Sequence, residues 1–277
     1  MIIAPYRKNS LNLSKLPTSP IPLYNRHFSN IHRLYDSVAA DYSRAEAKFR
    51  DDLISRPLIV ELARFYGHGK RVVDVGCGDG HISRLVSSFA ERVVGVDISN
   101  PMLHQARTRS ADFKNISYVR ANFLNLKPVF QSQKFDLALG VFAFCCARST
   151  NELDWAFGSI YQVLENGGIA IIQIPDESEQ SAQSISEWIK ETPYPVDKIG
   201  KLVQRELKTV DGNWVNVARY HYRKSDYLES ITKAGFKLAD ILSPKASADL
   251  LSLHPSLQHE AEVSSSLVFV LNKKLYV

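Results

Sequence analysis

The stretch Asp74-Val75-Gly76-Cys77-Gly78-Asp79-Gly80 sets two carboxylates among three glycines spaced at every second position. Glycines at a turn tolerate positive φ and let a ligand approach the backbone with no Cβ in the way. A dinucleotide fingerprint needs Gly-x-Gly-x-x-Gly, with a pyrophosphate resting on a helix N-terminus. Here the third glycine comes one residue early and His81 stands in the required place. Asp74 and Asp79 would repel a pyrophosphate and suit a ligand with a cationic end. The expected chemistry is the binding of a nucleoside that carries positive charge.

The flanking pattern says which elements hold this loop. An apolar run over 71–75 ends in the loop, and a helical pattern follows over 81–89, as in the first half of a βαβ unit. A second apolar run, Arg92-Val93-Val94-Gly95-Val96-Asp97, ends in a carboxylate 19 residues past Gly78. At the carboxyl edge of a second parallel strand, such a group can accept hydrogen bonds from both ribose hydroxyls. Ser99 is placed to cap the helix that opens at Pro101, and Ile98 and Met102 offer an apolar face to an adenine. Further strands are expected over 116–120, 134–140, 169–174 and 266–271, and a helix over 151–164 followed by a turn at 165–168. Residues 28–65 read as helical, with Ile31, Leu34, Tyr35, Val38 and Tyr42 recurring at three- and four-residue steps.

The glycine spacing and the acidic strand end resemble motif I of the class I S-adenosylmethionine-dependent methyltransferases, whose cofactor carries an ammonium and a sulfonium and no phosphate. The ordered features over about residues 31–274 are similar to the small-molecule, type 11-like branch of that family. The resemblance implies an α/β fold: a Rossmann-like, seven-stranded, mostly parallel sheet with helices on both faces and an inserted cap. It implies S-adenosylmethionine as cofactor, S-adenosylhomocysteine as product, and contacts from Asp74, Gly76, Cys77, Gly78, Asp97, Ile98 and Met102. Asn122 stands where relatives usually carry aspartate and keeps a carbonyl acceptor for the adenine amino group; Phe123 and Gly140 complete the set. In the family a tyrosine of the preceding helix folds over the cofactor; Tyr42 is the closer match and Tyr35 the weaker. Either could equally be a core-facing residue of an ordinary helix.

The loop 141–146 follows the fourth strand, where the family does its chemistry. It has neither proline of the Asp/Asn-Pro-Pro-Tyr/Phe signature of DNA amino-methylating enzymes. Phe142 and Cys145 are read as lining an acceptor pocket. Adjacent cysteines point apart and chelate one metal poorly, so no metal is expected at Cys145 and Cys146. His221 and Tyr42 are the candidates for a base or an orienting group, with a satisfied strand residue as the other reading of His221. Positioning and desolvation can carry methyl transfer without a dedicated base.

From residue 175 the composition changes. A polar helix is expected over 179–190, then strands over 202–210 and 214–222 around the turn Asp211-Gly212-Asn213. This cap, about 176–224, carries Trp188, Trp214, Tyr220 and Tyr222, and one row of these rings is expected to line the acceptor pocket or else to pack the hairpin down.

Composition narrows the partners. The 277 residues are 45% hydrophobic, with no apolar run long enough to cross a membrane and no secretory-signal pattern at the N-terminus. Three cysteines, none spaced for a bridge or a zinc site, favour a reducing, cytoplasmic setting. The net charge of +5 comes from residues 1–35, which hold Arg7, Lys8, Lys15, Arg26 and Arg33 and no acid. The remainder balances 29 basic against 29 acidic residues, so a nucleic-acid substrate is not favoured. Residues 1–27 are expected to be a flexible basic extension of a domain over 28–277. The expected activity is methyl transfer to an O, N, S or C nucleophile of a small-molecule acceptor. An RNA or protein methyltransferase using the basic tail, and a non-catalytic cofactor-binding scaffold, stay open beside it; the oligomeric state is not legible.

Overall fold

The structure is a computed structural model that describes residues 30–45, 51–176, 189–191 and 199–274. The expected tail, 1–27, and Trp188 lie outside the described residues. Ten strands form two sheets among those residues. The main sheet holds β1 (Arg71–Val75), β2 (Arg92–Asp97), β3 (Ile116–Arg120), β4 (Phe135–Val141), β5 (Leu164–Pro175), β9 (Phe236–Leu242) and β10 (Ser266–Lys273), in the order β3-β2-β1-β4-β5-β10-β9. The pairs among β1 to β5 are parallel, and β10 runs antiparallel to both β5 and β9.

Alternation decides which face each side chain takes. Val72, Val93, Leu137, Leu139 and Ile171 pack with Ile59 and Ala63 of α2 (Ser55–Gly67) and with Ile82 and Val86 of α3 (His81–Ser87). Their neighbours Val73, Val94, Ala138 and Ile172 face the other way. They join Phe157 and Ile160 of α6 (Thr150–Val163) and Tyr227 and Ile231 of α7 (Lys224–Lys233). Near-continuous apolar strands are what a sheet covered on both faces requires. The strand order reverses between β1 and β4, so a crevice opens beyond their carboxyl ends.

The turn expected at 165–168 is not a separate element. Strand β5 starts directly at the end of α6, and the extra residues are absorbed as a register shift between Phe135 and Leu137 against β5. Arg71 clamps this irregularity, reaching Asp136 at 3.0 Å and Glu165 at 3.2 Å.

Between β5 and α7 the chain builds a second, antiparallel sheet of β6 (Ile189–Glu191), β7 (Leu202–Lys208) and β8 (Trp214–Tyr220). The hairpin turns at the expected Asp211-Gly212-Asn213. Of the polar helix expected over 179–190, residues 179–188 lie outside the described residues, and Ile189 and Lys190 are strand, paired with Leu207 and Glu206. The helical reading of 28–65 also divides: α1 (Asn30–Tyr42) ends in a turn, and Ala45 bridges to Thr209 of the hairpin. Tyr35, Val38 and Tyr42 of α1 pack on Leu207, Val215 and Val217. Helix α1 and the hairpin thus roof the crevice together.

Candidate cofactor and acceptor cavity

The crevice is lined from below by the glycine loop. The amides of Gly76 and Cys77 both donate to Val96 O, at 2.7 and 3.0 Å, which ties the loop to β2. Gly76 has φ +70°, and a Cβ there would lie 2.4 Å from Ala143 Cβ. Gly78 has φ +55° and nothing within 4 Å of where a Cβ would stand, so its open side belongs to the cavity. Its amide donates to Asp97 Oδ2 at 2.9 Å, and the Ser99 amide donates to Oδ1 at 2.9 Å. These amides fix the Asp97 carboxylate, which lines the cavity. Burial raises the Asp97 pKa, opposed by these amides.

Asp74 lies beneath the loop and accepts from Ser83 Oγ at 2.6 Å. Burial pushes its pKa up to about 6 against that hydrogen bond, and the charge of Asp97 adds to the rise. Asp79 has a different role from the one its position implies. Its carboxylate pairs with Arg109 at 2.8 Å, so its charge is already matched within the protein.

Beyond Asp97 the wall is apolar, with Ile98 and the buried Met102 of α4 (Asn100–Arg109). Ser99 caps α4, accepting from the Met102 amide at 3.2 Å, and donates to Asp36 Oδ1 at 2.6 Å. That bond ties α1 to the end of β2. Asn122 Oδ1 accepts from the Leu124 amide at 3.0 Å, and Phe123 lies beside it in the wall. From above, the rings of Tyr35 and Tyr42 meet edge to face at 5.5 Å, and Tyr35 Oη donates to Ala218 O at 3.3 Å. Burial drives both phenols well above their ordinary pKa, so both stay protonated at neutral pH.

The far end is formed by the loop after β4 and by the hairpin. Phe142 takes a left-handed φ of +53°, a conformation disfavoured for a bulky residue and concentrated at functional sites. Its amide donates to Gln173 O at 3.0 Å and its carbonyl accepts from Cys145 Sγ at 3.0 Å. Arg148 pairs with Glu152 at 2.7 Å. Arg205 and Arg219 enter from the hairpin beside Leu207 and Val217.

The fold brings together Asp74, Gly76, Cys77, Gly78, Asp97, Ile98 and Met102, with Asn122, Phe123, Tyr35, Tyr42, Phe142 and Cys145, around this one cavity. Five expectations are corrected. Gly140 is not in the wall: a Cβ there would meet the Phe144 ring at 2.6 Å, so its smallness serves core packing. His221 is fully buried outside the wall and continues the hairpin ladder, its amide donating to Lys201 O at 2.8 Å. Tyr222 is core, donating from Oη to Ala147 O at 2.7 Å. Trp214 and Tyr220 fail by parity. From β8 the cavity takes the side chains of the odd positions Val217 and Arg219, with Ala218 between them, whereas the two rings occupy even positions and are not in the wall.

The residues missed include Arg56, Arg148 and Asp176, His32 of α1 and, from the hairpin, Arg205 and Arg219. Only the alternation Val203-Arg205-Leu207 and Val215-Val217-Arg219 could have pointed to the last two, as charges on an otherwise apolar strand face.

Residues 72–168 match a family model described as a methyltransferase domain. Demethylmenaquinone methyltransferase of Tropheryma whipplei (strain Twist) is 29% identical over 152 residues, 54% of this chain and 61% of that protein. Trans-aconitate 2-methyltransferase of Afipia carboxidovorans is 25% identical over 159 residues, 56% of this chain and 58% of that protein. The chain thus spans about three fifths of the length of these curated relatives. Among solved structures, an S-adenosylmethionine-dependent methyltransferase from Mesorhizobium loti superposes with a TM-score of 0.57 at 21% identity, covering 78% of this chain and 96% of that one. CalS10, an amino pentose methyltransferase from Micromonospora echinaspora solved with S-adenosylmethionine bound, gives 0.57 at 15%, covering 83% and 96%. With the strand order, the glycine loop and Asp97 all in their expected places, residues 72–168 are matched as a methyltransferase domain, on the fold that the solved S-adenosylmethionine-dependent methyltransferases share.

Proposed function

We propose that this chain is an S-adenosylmethionine-dependent methyltransferase acting on a small-molecule acceptor. The observation that carries the reading is the Asp97 carboxylate, held by the Gly78 and Ser99 amides beside the open side of Gly78. A ribose needs an acceptor of this kind, and a nucleoside lying across Gly78 needs the space a side chain would fill. Ile98 and Met102 would take the adenine face, and Asp74 would supply negative charge near the ammonium. When bound, the cofactor supplies an electrophilic methyl whose C–S electron pair returns to sulfur as the acceptor's lone pair forms the new bond.

The protein's share is to bind, align and exclude water. Tyr35 and Tyr42 roof the cavity, and their raised phenol pKa values suit them to orienting an acceptor rather than removing its proton. His221, buried outside the wall, is not positioned to serve as base. Among the described residues, no helix is long and apolar enough to cross a membrane. The relatives are named for a quinone, trans-aconitate and sterols, which supports a small acceptor over a macromolecule.

Calorimetry with S-adenosylhomocysteine and with NAD tests the cofactor. S-adenosylhomocysteine is expected to bind and NAD not to. Asp97→Ala is expected to weaken binding by about 30- to 1,000-fold, two lost hydrogen bonds at a charged acceptor. Tight NAD binding, or an unchanged affinity in Asp97→Ala, would overturn the reading. Formation of S-adenosylhomocysteine from cofactor during turnover separates an enzyme from a binding scaffold.

A further inference from the structure

The cavity sets acids at the ends of the main-sheet strands and arginines on the hairpin, with Asp51 and Arg56 also in its wall. Asp74 and Asp97 lie at the glycine-loop end, beneath the ends of β1 and β2. Arg205 and Arg219 lie at the hairpin end, in a wall otherwise formed by Leu207, Val217 and Ala218. Arg148 is matched by Glu152, and among the described residues of this end the one further acid in the wall is Asp176 at the end of β5.

The two arginines share one face of the hairpin by construction. Arg205 pairs with Val217 and Val203 pairs with Arg219, so the arginines are diagonal neighbours on adjacent strands. Diagonal positions of this kind stand about 7–8 Å apart, within convergence range for two long side chains. Arg219 is 5% exposed, and burial pulls its pKa down. Both side chains also engage neighbouring protein groups. Their positive potential nevertheless reaches the cavity: the Cys145 thiol is shifted down through a hydrogen bond with Cys146, with Arg219 and Arg205 adding to the effect against burial.

Resting on the methyltransferase reading above, we infer that the acceptor is an organic carboxylate whose anionic group is held by Arg205 and Arg219 at the hairpin end of the cavity. Planar guanidinium forks match a carboxylate and gain strength in a poorly hydrated wall. A phosphate has the same charge sign but is usually also cradled by free backbone amides of a loop or helix start. Here the arginines stand on strands whose residues are paired in the ladder, and the amides of Gly76, Cys77 and Gly78 are already engaged by Val96 O and Asp97. The arrangement leaves the cationic end of the cofactor to the acids and the anionic acceptor to the arginines, so each ligand disfavours the other's place.

The test uses the full chain saturated with S-adenosylhomocysteine and a defined probe set: glutarate, propane-1,2,3-tricarboxylate, hexanoate, benzoate and indole-3-acetate, each against its amide, with phenyl phosphate as a further arm. At least one carboxylate is expected to bind about tenfold or more tighter than its amide by calorimetry. Arg205→Gln and Arg219→Gln are each expected to lower that preference about fivefold or more, with S-adenosylhomocysteine affinity within about threefold of wild type. Arg219→Lys, which keeps the charge, guards against misfolding of the glutamine variant and is expected to retain part of the preference. No preference anywhere in the set, a preference untouched by the Arg205 and Arg219 variants, or stronger binding of phenyl phosphate than of every carboxylate overturns the inference. Failure of wild-type protein to bind S-adenosylhomocysteine overturns the methyltransferase reading instead.

Discussion

Asp74 and Asp97 differ in what surrounds them, and the difference has consequences for pH. Asp97 is stabilised as a carboxylate by the amides of Gly78, Ile98 and Ser99, whereas Asp74 has only the hydroxyl and amide of Ser83 to set against burial and lies near two other acids. With a pKa near 6, Asp74 holds its proton more tightly in the folded protein than in the unfolded chain, where a value of about 3.9 applies. Its contribution to stability is therefore complete below about pH 4 and is lost as pH rises through about 6. Asp74→Asn, which cannot ionise, is expected to gain stability over wild type between these limits, by about 2–3 kcal/mol at neutral pH without cofactor. Denaturant unfolding at both pH values checks this. The ionised form is the one that attracts a cation, so S-adenosylhomocysteine is expected to bind about tenfold more weakly near pH 5 than near pH 8. A flat wild-type profile would show that the ammonium lies away from Asp74.

At the scale of elements, two glycines of the parallel sheet region do opposite jobs. Gly78 sits in the β1–α3 loop with positive φ and free space on its cavity side. Gly140 sits within β4, where an added Cβ would lie 2.6 Å from the Phe144 ring and 3.0 Å from Ile172 Cδ1. Gly140→Ala is expected to cost about 1–3 kcal/mol by overpacking, with cofactor affinity within about threefold of wild type. Gly78→Ala costs about 1–2 kcal/mol in backbone strain and, in contrast, weakens the cofactor clearly, because its Cβ enters the binding surface. Unfolding curves and calorimetry on both variants separate the roles. Equal losses of affinity would return Gly140 to the cofactor site.

At the scale of the whole molecule, the cavity lies between two sheets that share no strand. The main sheet supplies the floor, and α1 with the β7–β8 hairpin supplies the roof through Tyr35, Ala218 and the Ser99–Asp36 bond. A ligand that spans the cavity therefore couples the two. S-adenosylhomocysteine at about a hundred times its dissociation constant is expected to stabilise the fold by about 2.7 kcal/mol. Amide hydrogen exchange is expected to slow in α1 and in β7–β8 as well as at the ends of β1 and β2. Protection confined to the main sheet would mean that the roof does not close on the cofactor.

The floor of the site was legible in the chain because its determinants are local. Apolar runs that end in Asp74 and Asp97, glycines at fixed offsets and Ser99 before Pro101 each encode a strand end, a turn or a cap within a few residues. The parallel order follows from such βαβ units, and the expected seven-stranded sheet with its antiparallel last strand formed. The roof was not legible, because it depends on contacts between distant segments. Whether Trp214 or Arg219 meets the cavity depends on the parity of a strand relative to α1, and a shift of one residue exchanges the faces. That choice was made when Leu207, Val215 and Val217 packed against Tyr35 and Tyr42, burying the odd row and carrying both arginines inward. Likewise, Asp79 appears in sequence as a free acid of the loop, and only the approach of Arg109 from α4 neutralises it. The sequence by itself determined the cofactor floor, through short-range backbone chemistry. Tertiary packing decided which hairpin charges face the cavity, because side-chain direction on a two-faced strand is set by what covers each face.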